Sequence, residues 1–180
     1  MNNSNRIGIS ISIALLVLWS GIGFAQNKAG TSKDSWRSVS DKELGTLIPA
    51  RAQVQKERIE TEMRTASAII DDHRRVIAGV VLISAGYSAE GSYSHYFVSQ
   101  VPIQIGRLDL PAGEYVFGYR RGNNDLEVTF YDAASGKEIG KTKAHRESRN
   151  GKIVSFRISP PSEKSIIELG RFAMPYRIKG

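Results

Sequence analysis

Downstream of residue 74 the chain repeats one pattern: a short run, apolar throughout or at alternate positions, then a break rich in glycine, proline, asparagine or serine. RVIAGVVLIS, residues 75–84, is apolar at nearly every position and predicts a strand buried on both faces. In FVSQVPIQIG the odd positions Phe97, Val101, Ile103 and Ile105 share a face, Gln100 and Gln104 take the other, and Pro102 suits an edge or a bulge. LPAG, GNND, ASGK, RNGK and PPSEK then introduce EYVFGYR, LEVTFYD, EIGKTKAH, IVSFRIS and SIIELGR. Leu126, Val128 and Phe130 share one face of the second of these runs, and Phe172, Met174, Tyr176 and Ile178 alternate in the closing FAMPYRI. Short strands at this spacing predict a mainly β fold, an antiparallel β-sandwich or a small closed barrel. A membrane-spanning barrel is disfavoured, because no apolar-outward alternation of about ten residues recurs.

Upstream, the pattern is less uniform. Ser40 with Glu43 three residues on resembles a capping box and predicts a short helical segment from Asp41, which Gly45 and Pro49 should end early. Residues 50–70 carry two periods at once. Ile59, Met63, Ala66 and Ile70 fall at helical spacing, with Glu60 and Arg64 as an i,i+4 pair, whereas Ile59, Thr61, Met63, Thr65, Ser67 and Ile69 alternate as in a strand. Good helix formers dominate residues 50–64, so the expectation is a helix there and a strand over Thr65–Ile70. Residues 40–180 are thus expected to form a single β-rich domain, and the polar segment 26–39 a flexible leader.

The N terminus changes the picture by suggesting a compartment. Arg6, an apolar run over Ile7–Phe24, and small residues Gly23 and Ala25 read as a secretory signal peptide over 1–25 cleaved after Ala25, with a retained anchor as the alternative. The expected location is periplasmic or secreted, with no transmembrane segment after cleavage. The absence of cysteine excludes disulfides and thiolate metal sites. The full chain carries a formal charge of +7, and an exported basic protein suits an anionic envelope polymer or another envelope protein as partner. Nucleic acid is disfavoured, since the basic run lacks interleaved aromatic residues.

IGRLDLPAGEYVFG, residues 105–118, resembles a motif of small secreted bacterial proteins of unknown function, in which I-G-x-x-x-L-P-x-G-x-Y joins two strands of a β-sandwich. The likeness continues loosely to GRFAMPY at 170–176. It implies the fold and brings no catalytic residue with it. Within the motif, Pro111 fixes φ and Gly113 is expected to supply permissive backbone at the turn.

Candidate chemistry centres on GYSAEGSYSHYF, residues 86–97. GYSAEG is one residue longer than a nucleophile elbow, and Ser88, Asp132 and His145 occur in the hydrolase order of nucleophile, acid and base, so a small serine hydrolase is the alternative function. That elbow requires alternating strands and helices, and strand after strand follows. A local triad fails on parity: His95 should lie with Tyr93 and Phe97, away from Ser92, Ser94 and Tyr96, beyond hydrogen-bond reach of either serine. His73, His95 and His145 lack metal-ligand spacing, Asp71 and Asp72 read as turn residues, and no cofactor is indicated. Two groups remain as binding candidates. One is the basic hairpin, with Lys141, Lys143, Arg146 and Arg149 at its centre, whose alternative reading is a solvated strand edge guarded by lysines. The other comprises His95, Tyr93 and Tyr96 within a wider set of tyrosines at 87, 115, 119, 131 and 176, which suit either a recognition platform or the margin of a core. The expectation is therefore a non-catalytic binding or structural module of the bacterial envelope.

Overall fold

The computed structural model describes residues 35–148 and 152–179. The expected signal peptide, most of the leader and Arg149 lie outside the described residues. Along the chain, β1 (Arg37–Ser38) and α1 (Asp41–Leu47) precede a hairpin of β2 (Arg51–Val54) and β3 (Glu57–Ile70), followed by β4 (Val76–Leu82) and β5 (His95–Ser99). β6 (Ile103–Ile105) and β7 (Leu108–Leu110) make a small hairpin, and β8 (Gly113–Arg121), β9 (Asp125–Asp132) and β10 (Glu138–Arg146) a meander. β11 (Val154–Ser159), β12 (Ile166–Gly170) and β13 (Phe172–Ile178) complete the order. In space the main ladder runs β1-β3-β4-β5-β8-β9-β10-β13-β12-β11, with β2 on β3 and β6 on β13. The pairings along it are antiparallel. β11 comes back against β3 and β4, so the sheet is nearly closed into a barrel.

The mainly β expectation therefore holds, in a nearly closed barrel with one short helix among the described residues. The alternations read along the chain fill the interior: Phe97, Val101, Ile103 and Ile105, then Leu126, Val128 and Phe130, then Met174 and Tyr176 belong to one buried cluster. β4 is buried on both faces, as its sequence predicted, because a second apolar layer lies outside the barrel. Ile77 faces the interior cluster, whereas Val76, Ala78, Val80 and Leu82 pack with Leu44 and Ile48 from α1 and with Ala52, Val54 and Ile59 from the β2–β3 hairpin.

That hairpin corrects the helix expected over residues 50–64. Ala52, Val54 and Ile59 are buried at alternate positions, and the two-residue turn at Gln55–Lys56 puts Gln55 at a φ of 53°. Such a turn is ordinarily marked by glycine or asparagine, and here glutamine hides it; burial of the alternating face against β4 outweighs helix propensity. α1 does begin at Asp41, where the Glu43 carboxylate accepts both the Ser40 N–H and its hydroxyl, at 3.1 and 2.8 Å. It runs through Gly45 and stops at Leu47, before Pro49. The leader expected to be flexible is anchored at its end, since Trp36 is buried in the interior cluster and β1 pairs with Ile69 and Ile70.

The L-P-x-G-x-Y stretch also has a different physical basis from the expected one. Gly113 has no left-handed φ; instead the Tyr115 ring lies over it, where a Cβ would sit 3.1 Å from the phenol oxygen. The Tyr115 hydroxyl donates to the Pro111 carbonyl at 2.8 Å, pinning the corner between β7 and β8.

Closure depends on β3 and β4. β3 is irregular between Glu62 and Ser67, where its register against β4 shifts. Two hydroxyls of this stretch serve backbone N–H groups: Thr65 accepts the Val81 N–H at 3.0 Å, and Ser67 accepts the Ile158 N–H of β11 at 2.9 Å. Inside, the Phe156 ring of β11 lies across β4 at Gly79, where a Cβ would come within 2.6 Å of the ring. Gly79→Ala is accordingly expected to cost about 1–3 kcal/mol by overpacking. The check is the urea midpoint. The cost should shrink in a Phe156→Leu background, and an equal cost in both backgrounds would separate Gly79 from closure.

Candidate functional site

One end of the barrel is open. The strand ends there surround a cavity of about 660 Å³, within the 300–1,000 Å³ range of small-molecule sites. Val81, Leu126, Leu169 and Phe172 supply apolar wall, and Tyr119 and Ile153 stand at the lip, 48% and 51% exposed. Both are large apolar groups left in water beside the opening. Arg121, at the end of β8, and Arg171, in the turn between β12 and β13, add charge. Both are exposed, and neither has a carboxylate within ion-pair distance among the described residues.

His95 also lines this cavity, and its environment is unusual. It opens β5, opposite Phe117 of β8, so both side chains fall on the interior face. Its ring stacks on Phe117 at 4.6 Å between centroids and is flanked by Phe156 at 5.4 Å and Tyr119 at 6.2 Å. Nδ1 lies 2.8 Å from the Ser94 hydroxyl, while Nε2 is buried with no hydrogen-bond partner among the described residues. A polar atom left in that state costs about 1–3 kcal/mol. Burial pushes the imidazole down to about 4, so His95 is neutral at pH 7.

The Ser94 contact overturns the parity argument made from sequence. Alternation does send the bulk of neighbouring side chains to opposite faces. A hydroxyl on Cβ and the ring nitrogen nearest the backbone nevertheless meet across one peptide at the strand entry. The pair is poorly equipped for nucleophilic chemistry. A base held at about 4 takes up a proton reluctantly, and among the described residues no carboxylate meets Nε2 to stabilise the imidazolium.

The other sequence candidates are dispersed. Ser88 donates its hydroxyl to Glu57 at 2.6 Å; Asp132 accepts from the N–H and hydroxyl of Ser135. His145 faces Asp125 across the β9–β10 ladder, seven residues from Asp132, or roughly 23 Å of extended strand. The structure does not bring Ser88, Asp132 and His145 together. In the basic hairpin, Lys143 pairs with Asp125 at 2.9 Å and Lys141 with Glu127 at 3.4 Å, while Arg146 is exposed at the cavity end of β10. Tyr93 and Tyr96 lie in the outer layer, away from His95. Tyr93 accepts a hydrogen bond from Gln55 and packs on Tyr131 at 5.1 Å. Tyr96 lines a second cavity of about 330 Å³ outside the sheet, where Glu114 is its partner and Gln100 is engaged by the Val76 N–H. The tyrosines are thus divided between the barrel core, the outer layer and the lip. Tyr119 belonged to the tyrosine set read from the sequence, but Thr65, Arg121, Arg171 and Phe172 were not among its binding candidates, because only closure brings these strand ends together.

His95 makes a pH prediction. Its folded pKa of about 4 lies below the unfolded value of about 6.5, so the unfolded chain binds more protons between the two. Stability should fall by up to about 3 kcal/mol as pH drops from about 6.5 to about 4. Urea midpoints measured across this range should show a shallower fall in His95→Gln; an unchanged slope would contradict the buried neutral imidazole.

Comparison of the chain with protein-family models, with curated proteins and with solved structures found no match.

Proposed function

We propose that the protein is a non-catalytic binding module, exported to the bacterial envelope, whose ligand seats in the open end of the barrel. The observation that carries the reading is the buried His95 Nε2, without a partner among the described residues, in the lining of a 660 Å³ cavity whose lip exposes Tyr119 and Ile153. Unsatisfied polarity and exposed apolar surface at one place both favour a bound molecule. The leader-like residues 1–25 support export. The basic hairpin is a weaker candidate for the same role, since Lys141 and Lys143 already face carboxylates.

An isotope-labelled preparation from expression of the full chain, screened by NMR against a fragment set, tests the assignment. Bound fragments should shift signals of Val81, Leu126, Tyr119 and Phe172. Shifts confined to residues 138–146 would move the site to the hairpin, and a screen that moves nothing at the barrel end would remove it.

A further inference from the structure

Resting on the barrel-end site just proposed, the composition of its lining selects a ligand class. Among the described residues, the charged side chains that line the cavity are Arg121 and Arg171, and neither a carboxylate nor a side-chain amide lines it. A cationic ligand would find no counter-charge there. A saccharide would find few groups able to read its hydroxyls, which proteins ordinarily hold with acids and amides. The walls are chiefly branched aliphatic: Val81, Leu126, Ile153, Val154 and Leu169, with Phe172. Arg171 also borders a neighbouring cleft of about 80 Å³, which Glu147, Glu168 and Lys152 line with it; Glu168 is paired there with Arg157. We infer that the barrel end binds a small monomeric anion with an aliphatic body, a free acyl carboxylate, whose chain lies against this wall and whose head group meets Arg121 and Arg171.

Charge and shape point the same way. Both guanidinium groups are exposed at the opening, free to form charge-assisted hydrogen bonds with a carboxylate while the chain leaves water. Arg146 and Arg120, exposed at the same ends of β10 and β8, add to a positive field that would draw an anion to the opening.

The test uses the full-length expression product and sodium decanoate below its micelle-forming concentration. Decanamide, of equal chain length without charge, and butyrate, charged but short, are the comparisons, with NMR titration as the readout. Decanoate should bind about tenfold more tightly than either, with shifts at Val81, Leu126 and Phe172. In the double variant Arg121→Gln, Arg171→Gln, both at exposed positions, decanoate should fall to the level of decanamide while decanamide binding persists. Equal binding of decanoate and decanamide, or a preference that survives the double substitution, overturns the inference. So does binding to anionic phospholipid vesicles that decanoate does not compete away, which would make this end a membrane-docking surface. Should other fragments shift the barrel-end signals while decanoate does not, the ligand class falls and the site stands. If no compound shifts them, both fall.

Discussion

The missing side chain at Gly79 lets the Phe156 ring cross β4, and the rest of the architecture follows from that contact. A sheet of this length twists, and it can remain open or curl until its ends meet. Here the last strand of the ladder, β11, returns to the first long one, and the ring on Gly79 fills the space that an ordinary residue would occupy. Outside the ring, the seam between β11 and β3 is bridged by a side-chain hydroxyl, Ser67, which receives the N–H of Ile158, while Thr65 receives that of Val81 within the β3–β4 pair. The irregular stretch of β3 thus satisfies neighbouring N–H groups with its own hydroxyls, and Thr65 in turn donates to the Glu62 carbonyl.

The same contact shapes the candidate site. Phe156 stands beside the His95 ring, which stacks on Phe117, so the group that closes the barrel also excludes water from the imidazole. The interior below is filled by Phe97, Phe117 and Phe130, so space remains only where the strands end. In a small barrel with a packed interior the remaining space is at an open end, and here the described residues around it set arginine, without carboxylate, beside an aliphatic wall. The outer layer of α1 and the β2–β3 hairpin covers the far face of β4 and makes the strand that carries Gly79 inaccessible from both sides.

Much of this fold was legible in the sequence, because period-two alternation survives wherever one face is buried. The runs around Phe97, Leu126 and Phe172 show it, and β4 announced its double burial by being apolar throughout. What was hidden has physical causes. The β2–β3 turn uses Gln55 in a left-handed conformation, so no glycine marked it, and the helix formers around it prevailed in the reading. Gly113 looked like a turn glycine but makes room for Tyr115. The site was legible only at His95, and there for the wrong neighbours: Tyr93 and Tyr96 lie outside the sheet, while the residues that share its cavity come from strands distant in sequence. Pairing across a barrel is non-local, and no local pattern records which strand ends meet.

The central claim is that barrel closure through Phe156 keeps His95 dry and neutral at the open end. Its most direct test is the imidazole titration of His95, followed by NMR in the unmodified protein and in Phe156→Ala. The account predicts a pKa of about 4 in the former and a rise toward the ordinary value of about 6.5 in the variant, as water reaches the ring. An ordinary pKa in the unmodified protein, or a depressed one that Phe156→Ala leaves unchanged, would contradict it.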